Sequence, residues 1–366
     1  MNGILTILFL TIFVVLHEFG HYLSARRSKI AVSEFFVGFG PKIFSFIRGN
    51  TEYGLKAIPL GGYVKIPGMD ESEDTVGYES SELFHNAKWT TKFYIAISGI
   101  LVNFATAWVI LFIILLTTGV NSPTLEVANT GDSVENNISS PSVEAGLLPG
   151  DIIATFSDLP VMTWKELVDI IEVNPGNEVG ITFIRNGNLI KTKTTLETRI
   201  INNEEVGYLG VTPAIKNEKL GVISAFKDTT LLEAQMTLAA VDGIITLFSP
   251  DNIKTLLGTY TGKTIPDEIR PLSPIGLAQA GSQIAEDSYI NLFSLLAFVN
   301  IFLAVFNALP LIPLDGGRVV LALVEGATGK KIPDSKLYPI AVLVVGIFIF
   351  LGVTAFYLDI TQPIQL

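Results

Sequence analysis

The amino-acid sequence predicts a multi-pass α-helical membrane protein of about four transmembrane helices, with a membrane-associated β-hairpin region and an inserted α+β domain. Three observations lead to this fold class. Apolar residues make up 49% of the 366 residues and charged residues only 16%, with a mean hydropathy of +0.50. Four apolar runs are each long enough to cross a bilayer. Between the second and third runs, residues 118–216 have the polar, turn-rich composition of a water-soluble domain.

The four apolar runs match the roughly 20 residues that a helix needs to cross a hydrocarbon core about 30 Å thick. They cover residues 4–23, 94–117, 289–311 and 337–358. The first run lacks a basic n-region and an A-x-A cleavage site, so we expect a retained span rather than a signal peptide. The predicted organisation is the first two spans in residues 1–117, a soluble domain in 118–216, an amphipathic helix and linker in 217–288, and the last two spans in 289–366.

Charge and cysteine content exclude several classes of protein. The net charge of −11 argues against nucleic acid as a partner. The absence of cysteine excludes disulfides and thiolate metal ligands, so any bound metal must take histidine and carboxylate ligands. Lys and Arg occur in the connections 24–92 and 315–336 but not near either terminus. The positive-inside rule therefore places these connections in the cytoplasm and residues 118–216 outside it.

The first span carries three ionisable residues, His17, Glu18 and His21, in the pattern H-E-x-x-H. The two histidines are spaced i, i+4, so both imidazoles leave one helix face and can hold a single metal ion. Glu18 lies beside them, where a carboxylate could take a proton from water. A chance match in a soluble helix is a weak signal. Ionisable groups inside a membrane are costly, however, and two of the three histidines in the chain fall in this motif.

A carboxylate follows the third span. Pro310 and Pro313 bend or end the helix, and Asp315 then stands on a glycine-flanked turn, from which it can reach an ion held by the two histidines. An ordinary acidic residue at a helix end would instead be a solvated cap. Asn300 and Asn307 lie seven residues apart on one helix face, which suggests a face turned toward the site, although interhelical hydrogen bonds explain such residues too.

Residues 35–64 contain short alternating runs broken by glycines, which predicts strands and hairpins rather than helix. A β-hairpin beside a membrane site could present an edge strand to a substrate. An ordinary juxtamembrane loop is the alternative. Residues 70–82 are acidic and polar and predict a surface loop. Further along, residues 226–248 have apolar side chains at helical spacing and predict an amphipathic helix against the membrane or the core, followed by a loop at 249–270.

The soluble region is predicted to mix strands and helix. Strand-like segments cover residues 152–156, 179–184 and 189–196. Asn186 and Gly187 form a two-residue hairpin turn between the last two segments. A helix is expected at residues 163–172, where Thr163 is the cap and Glu166 completes a capping box.

Residues 140–153 resemble the signature of PDZ domains in bacterial proteases. Residues 207–211 resemble the peptide-carboxylate loop of those domains, placed late in the chain as in circularly permuted versions. The resemblance implies a groove, including Gly207, Leu209 and Gly210, that receives an extended segment of substrate by strand addition. A steric filter that binds nothing tightly is the competing interpretation.

The motifs together resemble those of site-2 proteases, and specifically the bacterial regulator of sigma-E protease group of intramembrane zinc metalloproteases. The resemblance rests on the H-E-x-x-H motif, the PDZ signature, Leu-Ser-Pro-Ile-Gly at 272–276, and Asn307-x-x-Pro310 leading to Leu-Asp-Gly at 314–316. It covers almost the whole chain. It implies one Zn²⁺ per chain, with His17, His21 and Asp315 as ligands and Glu18 as the catalytic base.

The same resemblance implies where and on what the protein acts. Residues 35–64, including Gly61, Gly62 and Tyr63, would be a membrane-reentrant β structure that clamps substrate, and Asn307 would help to hold the substrate backbone. The substrates would be single-pass transmembrane proteins, cleaved within the bilayer during regulated intramembrane proteolysis of an anti-sigma factor or of remnant signal peptides. The chain would lie in the bacterial cytoplasmic (inner) membrane, with its active site toward the cytoplasm and its PDZ domain outside.

Two departures and two rival functions accompany this interpretation. The family often has Gly-Pro-x-x-Asn in the second span, whereas Gly99 is followed by Ile100 before Asn103. A single PDZ signature leaves substrate gating open, since several relatives have two. A non-catalytic membrane PDZ adaptor would tolerate loss of Glu18 and Asp315, yet both are present. A metal-ion transporter needs polar residues along a path, whereas the ionisable groups converge here on one locus.

Overall fold

The computed structural model describes residues 2–69, 75–131, 140–201, 204–261, 265–266 and 270–364. These residues form two compact units. The first contains the chain up to Leu115 and from Val222 onward, and the second is Leu116–Gly221, where the sequence predicts a soluble domain at 118–216. Part of the predicted surface loop at 70–82, namely residues 70–74, lies outside the described residues.

The helices are α1 (Asn2–Arg27), α2 (Trp89–Thr118), α3 (Pro141–Glu144), α4 (Trp164–Glu172), α5 (Val222–Leu247), α6 (Pro250–Gly258), α7 (Pro274–Asp287), α8 (Tyr289–Asn307), α9 (Asp315–Thr328) and α10 (Asp334–Thr361). The strands are β1 (Glu34–Arg48), β2 (Thr51–Lys65), β3 (Val120–Thr130), β4 (Ile152–Phe156), β5 (Leu159–Pro160), β6 (Glu178–Arg185), β7 (Asn188–Thr195), β8 (Glu197–Ile201), β9 (Glu204–Tyr208) and β10 (Val211–Glu218). Short 3₁₀ turns occur at Ser80–Glu82, Phe84–Asn86 and Thr259–Thr261.

Within the described residues, five helices are long and apolar enough to cross a membrane by length and composition: α1, α2, α5, α8 and α10. Four of them correspond to the predicted spans. The fifth, α5, covers the predicted amphipathic helix at 226–248, and its most apolar window has a mean hydropathy of 1.3, the lowest of the five. Helix α8 ends at Asn307, before the predicted end at residue 311, because Pro310 and Pro313 cannot continue an α-helix.

The prediction of a loop at residues 249–270 is wrong for its first part, which forms α6. The side chain of Ser249 accepts a hydrogen bond from the Asn252 N–H, and Pro250 occupies the first helical turn. A serine cap followed by proline starts a helix efficiently, because the cap satisfies an otherwise unpaired N–H and proline is already restricted to a helical φ.

Helices α2, α5 and α8 pack through small residues. Ala107, Ala240 and Ala297 are each at most 1% exposed and belong to one core cluster. Small side chains at such interfaces let helix backbones approach closely. Fully buried Asn300 donates from Nδ2 to the Asn103 carbonyl oxygen at 2.9 Å. This contact supports the interhelical hydrogen-bond explanation of Asn300 over a role at the site.

The strands predicted in residues 35–64 are confirmed, as two long antiparallel strands, β1 and β2. The first part of β1 has partners on both sides, since Phe36 lies opposite Gly54 and also opposite Tyr63. Helix α1 runs beside the late part of β2, where the Thr11 hydroxyl donates to the Pro59 carbonyl oxygen at 2.7 Å. The hairpin is therefore tied to the helix that carries the H-E-x-x-H motif.

In the second unit, antiparallel pairing joins the strands of the main sheet in the order β10-β3-β4-β6-β7, with β5 beside β4. Strands β8 and β9 form a separate pair. The predicted strands at 152–156, 179–184 and 189–196 are confirmed. Asn186 and Gly187 have φ values of 50° and 80°, as a two-residue hairpin turn between β6 and β7 requires. The capping box of Thr163 and Glu166 at the start of α4 is also present.

Candidate metal centre

Helix α1 presents the H-E-x-x-H residues within an apolar span. His17 and His21 are both buried, and their Nε2 atoms lie 3.2 Å apart. Residues four apart share one face of an α-helix, and this spacing aims both imidazoles at the same point. Helix α1 alone therefore supplies two nitrogen atoms that are close enough to bind one ion.

Asp315 approaches this point from the other end of the chain. Its Oδ2 atom lies 3.0 Å from Nε2 of His17 and 3.1 Å from Nε2 of His21. Asp315 is the first residue of α9, where the helix dipole favours a negative charge. Two glycines follow it, and a Cβ on Gly316 would lie only 2.2 Å from the Ala308 carbonyl oxygen. The chain can therefore turn tightly enough to bring the carboxylate to the histidines.

The donor set fits a metal ion. Two imidazole nitrogens and one carboxylate oxygen lie within 4.8 Å of one another. Three such ligands with one position left open are typical of catalytic zinc sites. The space they need is kept free by Gly99 of α2, because a Cβ there would lie 2.3 Å from Nε2 of His21 and 2.8 Å from Cε1 of His17.

The orientation of His21 is set by α2. Its Nδ1 atom lies 2.8 Å from the carbonyl oxygen of Ile95. A carbonyl can only accept, so Nδ1 carries the proton and the lone pair of Nε2 points at the cluster, which is how metal-bound histidines are usually oriented. The same carbonyl accepts from the Ser98 hydroxyl at 2.7 Å, and Ser98 and Ser24 hydroxyls lie 2.9 Å apart. This network joins α1 to α2 beside the ligands.

Glu18 faces the same cavity without joining the cluster of three donors. Its Oε2 atom accepts a hydrogen bond from the Val64 N–H at 3.1 Å. The cavity has a volume of about 260 Å³. Its lining includes His17, Glu18, His21, Tyr63, Asn307 and Asp315. A carboxylate, a set of metal-type donors and the edge of β2 thus border one space.

The protein-family comparison matches residues 5–353 to the model described as peptidase family M50. The chain belongs to this family. Zinc metalloprotease Rip1 of Mycobacterium tuberculosis is 30% identical over 403 residues, covering 99% of this chain and 98% of Rip1. Zinc metalloprotease RasP of Bacillus licheniformis is 27% identical over 415 residues, covering 92% and 93% of the two chains. Membrane metalloprotease ARASP of Arabidopsis thaliana, a chloroplastic protein, is 28% identical over 354 residues, with coverages of 94% and 75%.

This M50 peptidase is a metalloprotease of the site-2 type, as its motifs predict. The names of its relatives imply zinc, and the cluster of His17, His21 and Asp315 is a possible site for it. Among solved structures, the PDZ domain of the SdrC-like protein from Listeria monocytogenes matches with a TM-score of 0.21 and 18% identity, covering 26% of this chain and 92% of that domain. A TM-score this low does not establish a common fold.

The predicted clamp residues of the M50 peptidase lie on the late part of β2. Gly61 has a φ of 92°, which glycine adopts readily, and Gly62 lies opposite Val37 of β1. A Cβ on Gly62 would lie 2.8 Å from the Phe36 carbonyl oxygen. Tyr63 lines the cavity, and its hydroxyl donates to the Glu34 carboxylate. These residues therefore stand beside Glu18, whereas Asn307 enters the cavity from the end of α8.

The other predicted binding residues lie in the second unit. Gly207, Leu209 and Gly210 line a groove of about 330 Å³ between α4 and the strands. Leu209 is also part of the hydrophobic core, at 1% exposure, and a Cβ on Gly207 would lie 2.1 Å from the Ile171 carbonyl oxygen. Close packing thus accounts for two of the three residues without any ligand.

Several groups at the metal site were missed by reasoning from the sequence. The Ile95 carbonyl has no sequence signal, because every residue has one. Met69 and Arg318 also line the cavity, and the Arg318 guanidinium contacts the Met69 sulfur at 2.8 Å. Arg318 stands three residues after Asp315, on the same helix face, and this spacing is a signal that could have been used. Gly99 of α2 carries no metal-site signal in the sequence, yet its closest contacts are the two histidines.

Proposed function

We propose that this chain is an intramembrane zinc metalloprotease that hydrolyses peptide bonds within the transmembrane segments of single-pass membrane proteins. One observation carries the proposal: a single carboxylate oxygen of Asp315 lies within 3.1 Å of both histidine Nε2 atoms, inside an apolar helix assembly, with Glu18 on the same cavity. We assign one Zn²⁺ per chain to His17, His21 and Asp315.

Glu18 is the general base in this proposal. A zinc ion supplies a Lewis acid that acidifies water and polarises a carbonyl when it is bound. The Glu18 carboxylate takes the proton of the attacking water and returns it to the departing amine. The Val64 N–H holds that carboxylate toward the cavity. Because His17 and His21 are buried, charges beside them interact more strongly than they would in bulk solvent.

The edge of β2 would bind the substrate segment once that segment has unwound from its helix. A helical substrate hides its carbonyls in its own hydrogen bonds, so part of it must become extended before cleavage. The Val64 N–H points away from β1 toward Glu18, and alternation along a strand gives Gly62 the same direction. An extended substrate segment that pairs with these backbone groups would lie beside the three ligands. Asn307 lines the same cavity and would bind the substrate backbone there.

Charge distribution supports an orientation in the bacterial cytoplasmic (inner) membrane. Basic residues in 24–92 and 315–336 place those connections in the cytoplasm. His17, Glu18 and His21 lie in the second half of α1, toward the basic connection 24–92, and Asp315 begins the basic connection 315–336. We therefore assign the active site to the cytoplasmic side. The second unit, which we assign as the single PDZ domain, is then outside the cytoplasm. Its groove receives or filters segments of the substrate before cleavage.

Replacing Glu18 with Gln tests the catalytic assignment. We expect the Glu18→Gln variant to keep its zinc, because the three ligands are unchanged, and to lose at least about 10³-fold in cleavage of a membrane substrate. Zinc content and the appearance of cleaved fragments are measured on the purified full chain. His85→Ala, which removes the one histidine outside the motif, is the matched control and should retain activity.

Uncleaved membrane fragments that accumulate in cells expressing Glu18→Gln would also identify the substrate class. Remnants of an anti-sigma factor trimmed outside the membrane, or of signal peptides, are the expected substrates, which the inactive variant leaves uncut. Undiminished cleavage by purified Glu18→Gln would overturn the role of Glu18 as the catalytic base, whereas a wild-type chain that cleaves no membrane substrate would favour the adaptor.

Proline substitutions test the strand clamp. Gly62→Pro and Val64→Pro each remove one N–H from the edge of β2 that faces Glu18. Gly62→Pro also places a Cβ against the Phe36 carbonyl oxygen, and Val64→Pro also removes the hydrogen bond to the Glu18 carboxylate. We expect slow cleavage of transmembrane substrates with unchanged zinc content. Normal cleavage by both variants would show that the edge does not bind substrate.

A further inference from the structure

A largely buried ion pair joins α2 to α9 outside the cluster of metal-type donors. Lys92 Nζ lies 2.6 Å from Glu325 Oε2, and the two side chains are 10% and 19% exposed. A charge removed from water is costly unless its partner is held close by. The pair therefore fixes the distance between the start of α2 and the end of α9.

The start of α2 also contacts the histidine ligands directly. The Ile95 carbonyl oxygen meets Nδ1 of His21, and Gly99 lies against the rings of His17 and His21. Positions 92, 95 and 99 are spaced i, i+3 and i+7, so they share one face of the helix. One face of α2 thus contacts the two histidines through Ile95 and Gly99, and contacts α9 through Lys92.

Helix α9 connects this ion pair to the third ligand. Asp315 and Glu325 stand ten residues apart on the helix, which corresponds to about 15 Å of rigid rod. The far end is also held by Trp89, since a Cβ on Gly326 would lie 2.6 Å from its ring. Ligand distances in metal sites are fixed to about 0.2 Å, so even a small displacement of α9 moves Asp315 out of range.

We infer that Lys92 is a positioning residue of the metal site: paired with Glu325, it holds α9, and with it Asp315, in register with the two histidines of α1. The inference rests on the proposed assignment of these three residues as zinc ligands. Asp315 and His21 are 294 positions apart in sequence, and α2 contacts both α1, at His21, and α9, at Glu325.

Direct metal binding by the full chain in detergent tests the inference. We expect Lys92→Met to weaken zinc affinity by about 10-fold or more, in the range seen when groups that orient metal ligands are lost. The absorption spectrum of bound Co²⁺ should change as well, because it reports the geometry of the ligands. Lys92→Arg should bind zinc almost as tightly as the wild type. The double variant Lys92→Glu with Glu325→Lys should recover affinity relative to either single change.

A second buried ion pair provides the matched control. Arg270 Nη2 lies 2.9 Å from Asp359 Oδ1, with exposures of 4% and 0%, and Asp359 also accepts from the N–H groups of Ser273 and Gly276 at the start of α7. Asp359→Asn should lower the unfolding temperature, yet change zinc affinity by no more than about two-fold. Lys92→Met should show the opposite pattern, with a large loss of zinc affinity and a smaller fall in the unfolding temperature. If Lys92→Met does not fold, Glu325→Gln replaces it, because the amide keeps the shape and removes the charge.

The outcomes separate this inference from the assignment on which it rests. His21→Ala must abolish tight zinc binding, and a variant that still binds zinc as the wild type does would overturn the metal site itself. If His21→Ala fails to bind but Lys92→Met and Glu325→Gln bind zinc normally, the site stands and the positioning role is wrong. Equal losses in Asp359→Asn and Lys92→Met would likewise overturn it, as general destabilisation.

Discussion

The metal centre and the α4 and β6–β7 region of the second unit depend on contacts of very different range. In the second unit, β6 and β7 are joined by a two-residue turn, and α4 is capped by its own Thr163 and Glu166. At the metal centre, the ligands come from opposite ends of the chain, 294 positions apart. The comparison shows that the turn and the helix cap of the second unit are encoded by neighbouring residues, whereas the site depends on helices that meet only after folding.

The two regions also differ in the kinds of residue that stabilise them. The second unit buries a contiguous apolar core, in which Ile153, Phe156 and Leu167 are fully inaccessible. Around the metal centre the decisive contacts are polar or involve glycine. They are made by the Ile95 carbonyl, by Gly99 and by the buried charges of α2 and α9. Substitutions near the metal centre should therefore change metal binding most, and substitutions in the second unit should change its free energy of unfolding most.

The largest effect is expected from Gly99→Ala. The new Cβ would overlap Nε2 of His21 at 2.3 Å, and His21 is held in place by the Ile95 carbonyl, so the imidazole must leave the cluster. We expect zinc affinity to fall by more than about 100-fold. Gly352→Ala is the matched control, because this glycine also lies in an apolar helix but has open space where the Cβ would be. Equal zinc binding by both variants would contradict the role of Gly99.

A smaller effect is expected from Asp151→Asn. Asp151 is 1% exposed and accepts from the Leu148 N–H and from two nitrogens of Arg185, all at 2.8 Å. Burial alone would favour the neutral acid, but these hydrogen bonds outweigh it and hold the pKa of Asp151 below its usual value. We expect the local free energy of unfolding to fall by about 2 kcal/mol at pH 7.

The pH dependence of that loss follows from the lowered pKa. The folded protein binds the Asp151 proton less tightly than the unfolded chain, so the stabilisation is complete above about pH 4 and fades as pH falls through the folded-state pKa. Hydrogen exchange of the β6 amides, compared between wild type and Asp151→Asn at several pH values, measures this. A difference that stays constant down to pH 2 would contradict it.

A still smaller effect is expected at the cap of α4. Thr163 Oγ1 accepts from the Glu166 N–H at 3.2 Å, and Glu166 Oε2 accepts from the Thr163 N–H at 3.3 Å. Thr163→Ala leaves the first of these donors unpaired and should cost about 1 kcal/mol, seen as faster exchange of amides in α4. Zinc affinity should not change. A loss of zinc binding would show that the two units are coupled in a way that the local contacts do not predict.

The smallest effect is expected from Lys165→Ala. Lys165 Nζ and Asp169 Oδ1 lie 2.9 Å apart on α4, but their side chains are 82% and 55% exposed. Solvent and salt screen such pairs, which usually contribute only about 0.3–0.5 kcal/mol. Exchange rates in α4 should therefore remain close to those of the wild type. An effect as large as that of Thr163→Ala would mean that the exposed pair, rather than the cap, stabilises the helix.

Prediction from the sequence worked best where neighbouring residues decide the structure. The turn at Asn186 and Gly187 and the cap at Thr163 both depend on short-range sterics and hydrogen bonds. Prediction was less complete for α5, where apolar spacing suits both an amphipathic helix and a membrane span. It missed α6, although Ser249 and Pro250 carry a start signal, because the polar composition of that stretch was taken as a loop.

The sequence by itself determines the types of the metal ligands and the spacing of the two histidines. A helix places residues i and i+4 on one face whatever surrounds it. The family membership follows from the same motifs. Tertiary structure alone decides that one oxygen of Asp315 comes within 3.1 Å of both imidazoles, that a backbone carbonyl of α2 orients one of them, and that Lys92 and Glu325 join the helices involved. These contacts connect segments far apart along the chain, and only packing of the whole helix assembly brings them together.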